Sequence, residues 1–273
     1  MTASDNWARA LASWAIPQHI LDEAPQSPWG FSPALFARRA DEALSELTPS
    51  NLRALEALPE GGTVLDVGCG AGAASLPLAR KAGHLVGVDA SADMLAAFRE
   101  RAVAAGPHVT ALQGTWPDVA RDAPIADVVV CHHVAYNVPD LAAFARALTS
   151  HARVRVVTEL TARHPMSVFN DLWLHFHGLE RPRGPTAGDV EAVLRELGLS
   201  PQRDERTLPA LGPFESQDEL IATVRGRLCL SPARDPEVEA AIAPGIACRP
   251  DGTLVYGERA VVTLWWGGAA TAV

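Results

Sequence analysis

The chain is 273 residues long, 48% hydrophobic and 20% charged, values that suit a folded globular protein with a continuous core and exclude wholesale disorder. Its 23 Lys and Arg against 32 Asp and Glu leave a formal charge of -9, which argues against a long phosphate-neutralising surface and so against nucleic acid as a partner. The cysteines Cys69, Cys131, Cys229 and Cys248 are too far apart for a disulfide framework or a zinc motif. With no signal-like N-terminus and no apolar run long enough to span a bilayer, the sequence reads as a cytoplasmic protein without a membrane partner.

Residues 4–60 carry helical patterning broken by the Pro-rich stretch Ala24-Pro25-Gln26-Ser27-Pro28-Trp29-Gly30, and the expectation is an N-terminal helical cap over residues 1–60. After the break at Gly61-Gly62, Thr63–Val67 is a short apolar run that reads as the first strand. Further strands are predicted at His84–Val88, Val109–Gln113, Ala126–Cys131 and Val154–Thr158. Between them, Ser91 is placed to cap a helix that buries Leu95, Phe98 and Ala102 and stops at Gly106. A helix after Pro139 sets Leu141, Phe144, Ala145 and Leu148 on one face. Thr186 and Asp189 form a capping box for another, which buries Val190, Val193, Leu194 and Leu197 before Gly198. A sixth strand near Arg206 and a seventh at Ala260–Trp265 complete the pattern. Such alternation demands a parallel sheet covered on both faces, so residues 61–273 are expected to form a doubly wound α/β domain with a seven-stranded, mostly parallel sheet. Residues 160–185 and 209–256 fall outside the repeat and are expected to be insertions that cap the site.

The stretch Val64-Leu65-Asp66-Val67-Gly68-Cys69-Gly70-Ala71-Gly72 leaves a strand and is expected to enter a helix, so its glycines stand where backbone must turn sharply and approach a ligand. Asp89 follows about twenty residues on at the end of the second strand, the separation that sets a carboxylate opposite ribose hydroxyls. Gly68-x-Gly70-x-x-Ala73 also fits a dinucleotide fingerprint, so spacing alone leaves the cofactor open.

At these residues the sequence resembles the class I methyltransferases that use S-adenosylmethionine (SAM) on small molecules. Their glycine-rich signature is matched by Asp66, Gly68, Gly70 and Gly72, with Cys69 inside it, and their ribose-binding acid by Asp89. The resemblance covers about residues 60 to 160. It implies a Rossmann-like fold, SAM as cofactor with its methionine part and ribose on the loop, and Ala90 and Met94 flanking the adenine. Where the family commonly has Gly followed by an acid after the third strand, this chain has Gly114-Thr115-Trp116, and a Thr oxygen would accept the adenine amino group in place of a carboxylate.

The segment Asp127-Val128-Val129-Val130-Cys131-His132-His133-Val134-Ala135-Tyr136-Asn137 resembles the family's fourth motif, beside the sulfonium and the acceptor. Successive residues of an extended chain face opposite ways, so His132 and His133 are not expected to share a metal, and no metal site is predicted. Methyl transfer proceeds largely by alignment of the acceptor lone pair. For a hydroxyl or protonated amine acceptor an imidazole would take the proton, with His133 the first candidate, His132 the second, and Tyr136 a further pocket residue. Met166, Phe169, Leu172, Trp173 and Phe176 form an apolar helical stripe that would roof the acceptor pocket, with Trp29, Phe31 and Phe36 closing it from the other side. These aromatics favour an enclosed pocket and a small organic acceptor, methylated at oxygen or nitrogen. A nicotinamide-dependent oxidoreductase is the alternative that shares the loop logic, and a non-catalytic SAM-binding module is the other.

Overall fold

The computed structural model describes residues 1–29 and 41–269. Its strands are β1 (Gly62–Val67), β2 (Ala82–Asp89), β3 (His108–Gln113), β4 (Ala126–His132), β5 (Ala152–Thr161), β6 (Gln202–Phe214), β7 (Ile246–Cys248) and β8 (Leu254–Gly267). They form one sheet in the order β3-β2-β1-β4-β5-β8-β6, with β7 paired to β8. The first five strands pair in parallel, and β8 runs antiparallel to β5, β6 and β7. The predicted seven strands are thus joined by an eighth, β7, inside the expected insertion at residues 209–256, and β6 and β8 extend well beyond their predicted cores. Val-rich strands β1 and β4 are covered on both faces, as a parallel sheet requires. Strand order reverses between β1 and β4, and ligands bind at such a switch point, outside the carboxyl ends of the strands.

Helices α1 (Ala3–Ala12), α2 (Gln18–Glu23) and α3 (Pro49–Ala57) precede the sheet. Later come α4 (Ala92–Ala104), α5 (Leu141–His151), α6 (Asn170–His177), α7 (Ala187–Glu196), α8 (Gln217–Arg227) and α9 (Asp235–Ile242). Ser91 caps α4 through the Met94 amide, and Thr186 with Asp189 forms the predicted capping box of α7, each satisfying amides that the first turn leaves without partners.

On one face, α1, α5 and α7 bury Trp7, Phe144, Leu148, Val190 and Leu194 against Leu65, Val129 and Val262. On the other, α3 and α4 bury Ala54, Leu58 and Phe98 against Val64, Leu85, Val130 and Trp265. A third core stands apart from both: Trp14, Ile16 and Ile20 join Phe169 and Trp173 and, from the second insertion, Phe214, Leu220, Val224 and Ile242. The N-terminal helices therefore divide among three layers. The structure overturns the helix expected directly after the glycine loop, which enters turns instead. Residues 68–81 are turns with a short 3₁₀ segment at Leu76–Leu78, because the crossover is brief and Pro77 removes an amide that a continuing helix would need.

Candidate active site

Three backbone amides fix the glycine loop. The amides of Gly68 and Cys69 both donate to Val88 O, at 2.8 and 3.0 Å, and Gly70 N donates to Asp89 Oδ2 at 2.9 Å. Gly68 has φ +72, and a Cβ there would lie 2.3 Å from Val134 Cγ2, so only glycine lets the segment after β4 cross this close. The Cys69 side chain is buried, and burial raises its thiol well above the usual range, which leaves its backbone for any ligand contact.

Asp66 is buried at the end of β1. Ser75 Oγ donates to its Oδ2 at 2.6 Å, whereas Oδ1 has no hydrogen-bond partner. Burial pushes its pKa up to about 7 against the Ser75 bond, with the negative charge of Asp89 adding to the rise. Asp89 is half-buried, with Oδ1 accepting from Ser91 N at 2.9 Å. Gly114 N donates to Asp89 O at 3.0 Å, which joins the ends of β2 and β3; the residues that follow, Ala90 and Thr115, are exposed, and Met94 is half-buried. These residues fit SAM: two carboxylates stand ready for a ligand carrying an ammonium and a sulfonium, one buried carboxylate oxygen lacks a partner, and exposed Ala90 follows Asp89 directly. Trp116 is not one of them. It is buried edge-on to His151 in the α5-side core.

At the end of β4 the two histidines behave differently. His132 continues the strand with Nε2 buried and unpartnered, and burial lowers its pKa to about 4, so the ring is neutral at pH 7. His133 has φ +60, a left-handed conformation that costs a non-glycine residue roughly 1 kcal/mol or more. That conformation breaks the strand alternation expected from the sequence and turns the ring toward β5. There His133 Nε2 stands 3.4 Å from Glu159 Oε1, and His133 N donates to Glu159 O at 2.6 Å, while the imidazole remains 40% exposed.

Glu159 went unnoticed in the sequence, and it is the centre of the polar cluster. It is buried, and its Oε2 accepts from Ser50 Oγ at 2.8 Å and from Arg206 Nη2 at 3.2 Å. Burial alone would raise its pKa, but the adjoining His133 ring, the two imidazoles in their protonated forms and the Arg206 charge outweigh it and hold the carboxyl far below its ordinary range. The signal was present: a carboxylate inside the apolar run Val156-Val157-Thr158-Glu159-Leu160 needs partners. Its partners Ser50, in the first turn of α3, and Arg206, on β6, are brought in by the fold.

Tyr136 is buried with its ring on Trp7, edge-on to His164, and its hydroxyl donates to Thr161 O at 2.7 Å. Trp173 is fully buried in the third core, stacked on His177, and Phe176 packs against that core. Trp29 is exposed, and Phe31 and Phe36 lie outside the described residues. A cleft of ≈ 350 Å³ opens instead where β5 ends, lined by Thr161, Arg163, Ser167, Val168, Glu258 and Arg259 among others. Among the described residues no group of three or more His, Cys, Asp or Glu is placed to hold a metal ion, and no helix is long and apolar enough to cross a membrane.

Comparison with known proteins agrees with this geometry. Residues 64–154 match the family model of a methyltransferase domain. A ubiquinone biosynthesis O-methyltransferase of Aeromonas salmonicida is 33% identical over 108 residues, 38% of this chain and 45% of that protein. Its counterpart in Hahella chejuensis is 35% identical over 114 residues, 40% of this chain and 48% of that protein. The chain thus spans about half the length of the curated relatives it matches. Among solved structures, the YcgJ protein of Bacillus subtilis has a TM-score of 0.54 at 17% identity, covering 85% of this chain and 100% of that one, a likeness of fold. Residues 64–154, on a sheet of this strand order, accordingly form a methyltransferase domain of the class I, SAM-dependent kind within this chain.

Proposed function

We propose that the protein methylates an oxygen of a small organic acceptor, with His133 as the base that takes the hydroxyl proton. The observation that carries this reading is an exposed imidazole paired with a buried carboxylate at the carboxyl end of β4, where Val134 crosses directly over Gly68 of the cofactor loop. The names of the relatives, O-methyltransferases, support oxygen as the acceptor atom.

When bound, SAM supplies a methyl carbon on a sulfonium, whose C–S bond breaks with its electron pair returning to sulfur as the acceptor oxygen bonds to carbon. Asp89 would hold the ribose hydroxyls, and the free oxygen of Asp66 the ammonium of the methionine part. Ala90, Met94 and Thr115 would border the adenine, with Gly68, Gly70 and Gly72 offering backbone close to the ligand. His133 takes the hydroxyl proton, and Glu159 offsets the charge that develops on the ring. The acceptor enters through the cleft at the end of β5, whose Thr161 lies two residues, roughly 7 Å, beyond Glu159 along the strand. Residues 160–185 and 209–256 both reach that cleft or the core behind it, as acceptor-cap segments would.

The test is turnover of labelled SAM with a panel of phenols, catechols, amines and carboxylic acids, alongside calorimetry with SAM and with NADH. A phenol or catechol product, lost on the order of 10²–10⁴-fold in His133→Ala with SAM affinity retained, is the expected result. Binding of NADH in place of SAM overturns the cofactor, and tight SAM binding without any product favours a binding module.

A further inference from the structure

We infer that Glu159 is the positioning residue of His133, accepting the ring's Nε2 proton so that the unprotonated Nδ1 is presented to the acceptor hydroxyl. This deepens the proposed reaction and rests on the reading of His133 as its base.

The two carboxylate oxygens of Glu159 have separate duties. Oε2 is tied by Ser50 at 2.8 Å and by Arg206 at 3.2 Å, donors carried by α3 on one side and by β6 on the other. Oε1 faces His133 Nε2 at 3.4 Å. The carboxylate is thereby fixed by groups that have no part in proton transfer, and the imidazole is fixed by the carboxylate. Main chain completes the hold: His133 N donates to Glu159 O, so one residue anchors both the backbone and the ring of the other. The left-handed conformation at His133 is what permits this double contact, since an extended residue there would turn the ring away from β5.

The consequence concerns the tautomer. An ionised carboxylate is an acceptor only, so the nitrogen facing it carries the proton and the other nitrogen keeps its lone pair. With Nε2 committed to Glu159, the basic nitrogen is Nδ1 on a half-exposed ring. His132 has no comparable anchor, because its Nε2 is enclosed without a hydrogen-bond partner. Ser50, Glu159 and Arg206 come from three distant parts of the chain, and their convergence on one side of one histidine is what a purely local packing role for Glu159 would not require.

Nitrogen-15 spectra of the histidine rings, in the full chain at pH 8 with His133 assigned by His133→Gln, test this directly. In the wild type Nε2 should show the protonated signature and Nδ1 the unprotonated one. In Glu159→Gln the charge is removed at nearly constant volume, and the signals should move toward a mixture of tautomers, while SAM affinity stays within about twofold. Turnover of whichever phenol the panel yields should fall in kcat roughly 10²-fold with KM little changed. A Glu159→Gln protein with the wild-type tautomer overturns the inference. A changed tautomer with undiminished turnover instead overturns His133 as the base, and with it the catalytic purpose assigned to Glu159. Should Glu159→Gln fail to fold, Glu159→Asp keeps the charge for Ser50 and Arg206 but withdraws it from His133, and the same two readouts apply.

Discussion

Asp66→Asn should make the protein more stable in alkali than in acid, relative to the wild type. The wild-type carboxyl has a pKa pushed from 3.8 to about 7, so between those values the folded chain keeps a proton that the unfolded chain has released. Its stabilising contribution is therefore full below pH 4 and is lost as pH rises to 7, after which nothing more changes. Across the whole window the loss is about 4 kcal/mol, from roughly three pH units at 1.36 kcal/mol each. Asparagine does not titrate and still offers Ser75 an acceptor, but its amide nitrogen takes the place of an oxygen that has no partner, at a cost of about 1–3 kcal/mol at every pH. That constant cost cancels when two conditions are compared. Urea unfolding of both proteins at pH 4.5 and pH 8 should show the variant gaining about 3 kcal/mol on the wild type between the two. A gain below about 1 kcal/mol would mean that Asp66 is ionised in the folded protein at acid pH, and the reasoning fails.

The same proton bears on the cofactor. If Asp66 meets the ammonium of SAM, binding selects the ionised carboxylate, so affinity should rise with pH up to about 7 and level off above it, and calorimetry in buffers of different ionisation enthalpy should detect proton release near neutrality. Asp89→Ala should weaken SAM binding by about 1.5–3 kcal/mol, and unchanged affinity in a titration sinks the ribose assignment. Gly68→Ala meets both an unfavourable φ of +72 and the Val134 side chain at 2.3 Å, so a thermal melt should register a loss of roughly 2 kcal/mol or more. Adding Val134→Ala should recover only the steric part, and full recovery would show that the backbone conformation carries no penalty.

Local chemistry makes the glycine loop and the two acids beside it legible. The glycine loop, Asp66 and Asp89 lie within some two dozen residues, and the turn, the strand ends and the Ser91 cap that organise them are all written in adjacent sequence. Aromatic character proved a poorer guide: Trp116, Tyr136 and Trp173 belong to buried cores, because a large apolar ring fills a core as readily as it lines a pocket. The helix expected after the loop gave way to turns, since periodicity is blind to how short a crossover is. Glu159 is legible in sequence only as a carboxylate within an apolar run that needs partners; which partners they are depends on Ser50 and Arg206, which only the closed sheet brings near it.

The placement of β8 has a consequence for how the Glu159 cluster is completed. β6 precedes β8 in the chain, yet in the sheet β8 lies between β5 and β6 and is the strand that β6 pairs with. Without residues 254–267 in place, β6 lacks the strand it pairs with here, and Arg206 lacks the scaffold that holds it against Glu159. A chain lacking residues 254–267 would therefore still carry its glycine loop and Asp89 while the Glu159 cluster stayed incomplete, so that β8 acts as the keystone of that cluster rather than as a mere part of the scaffold.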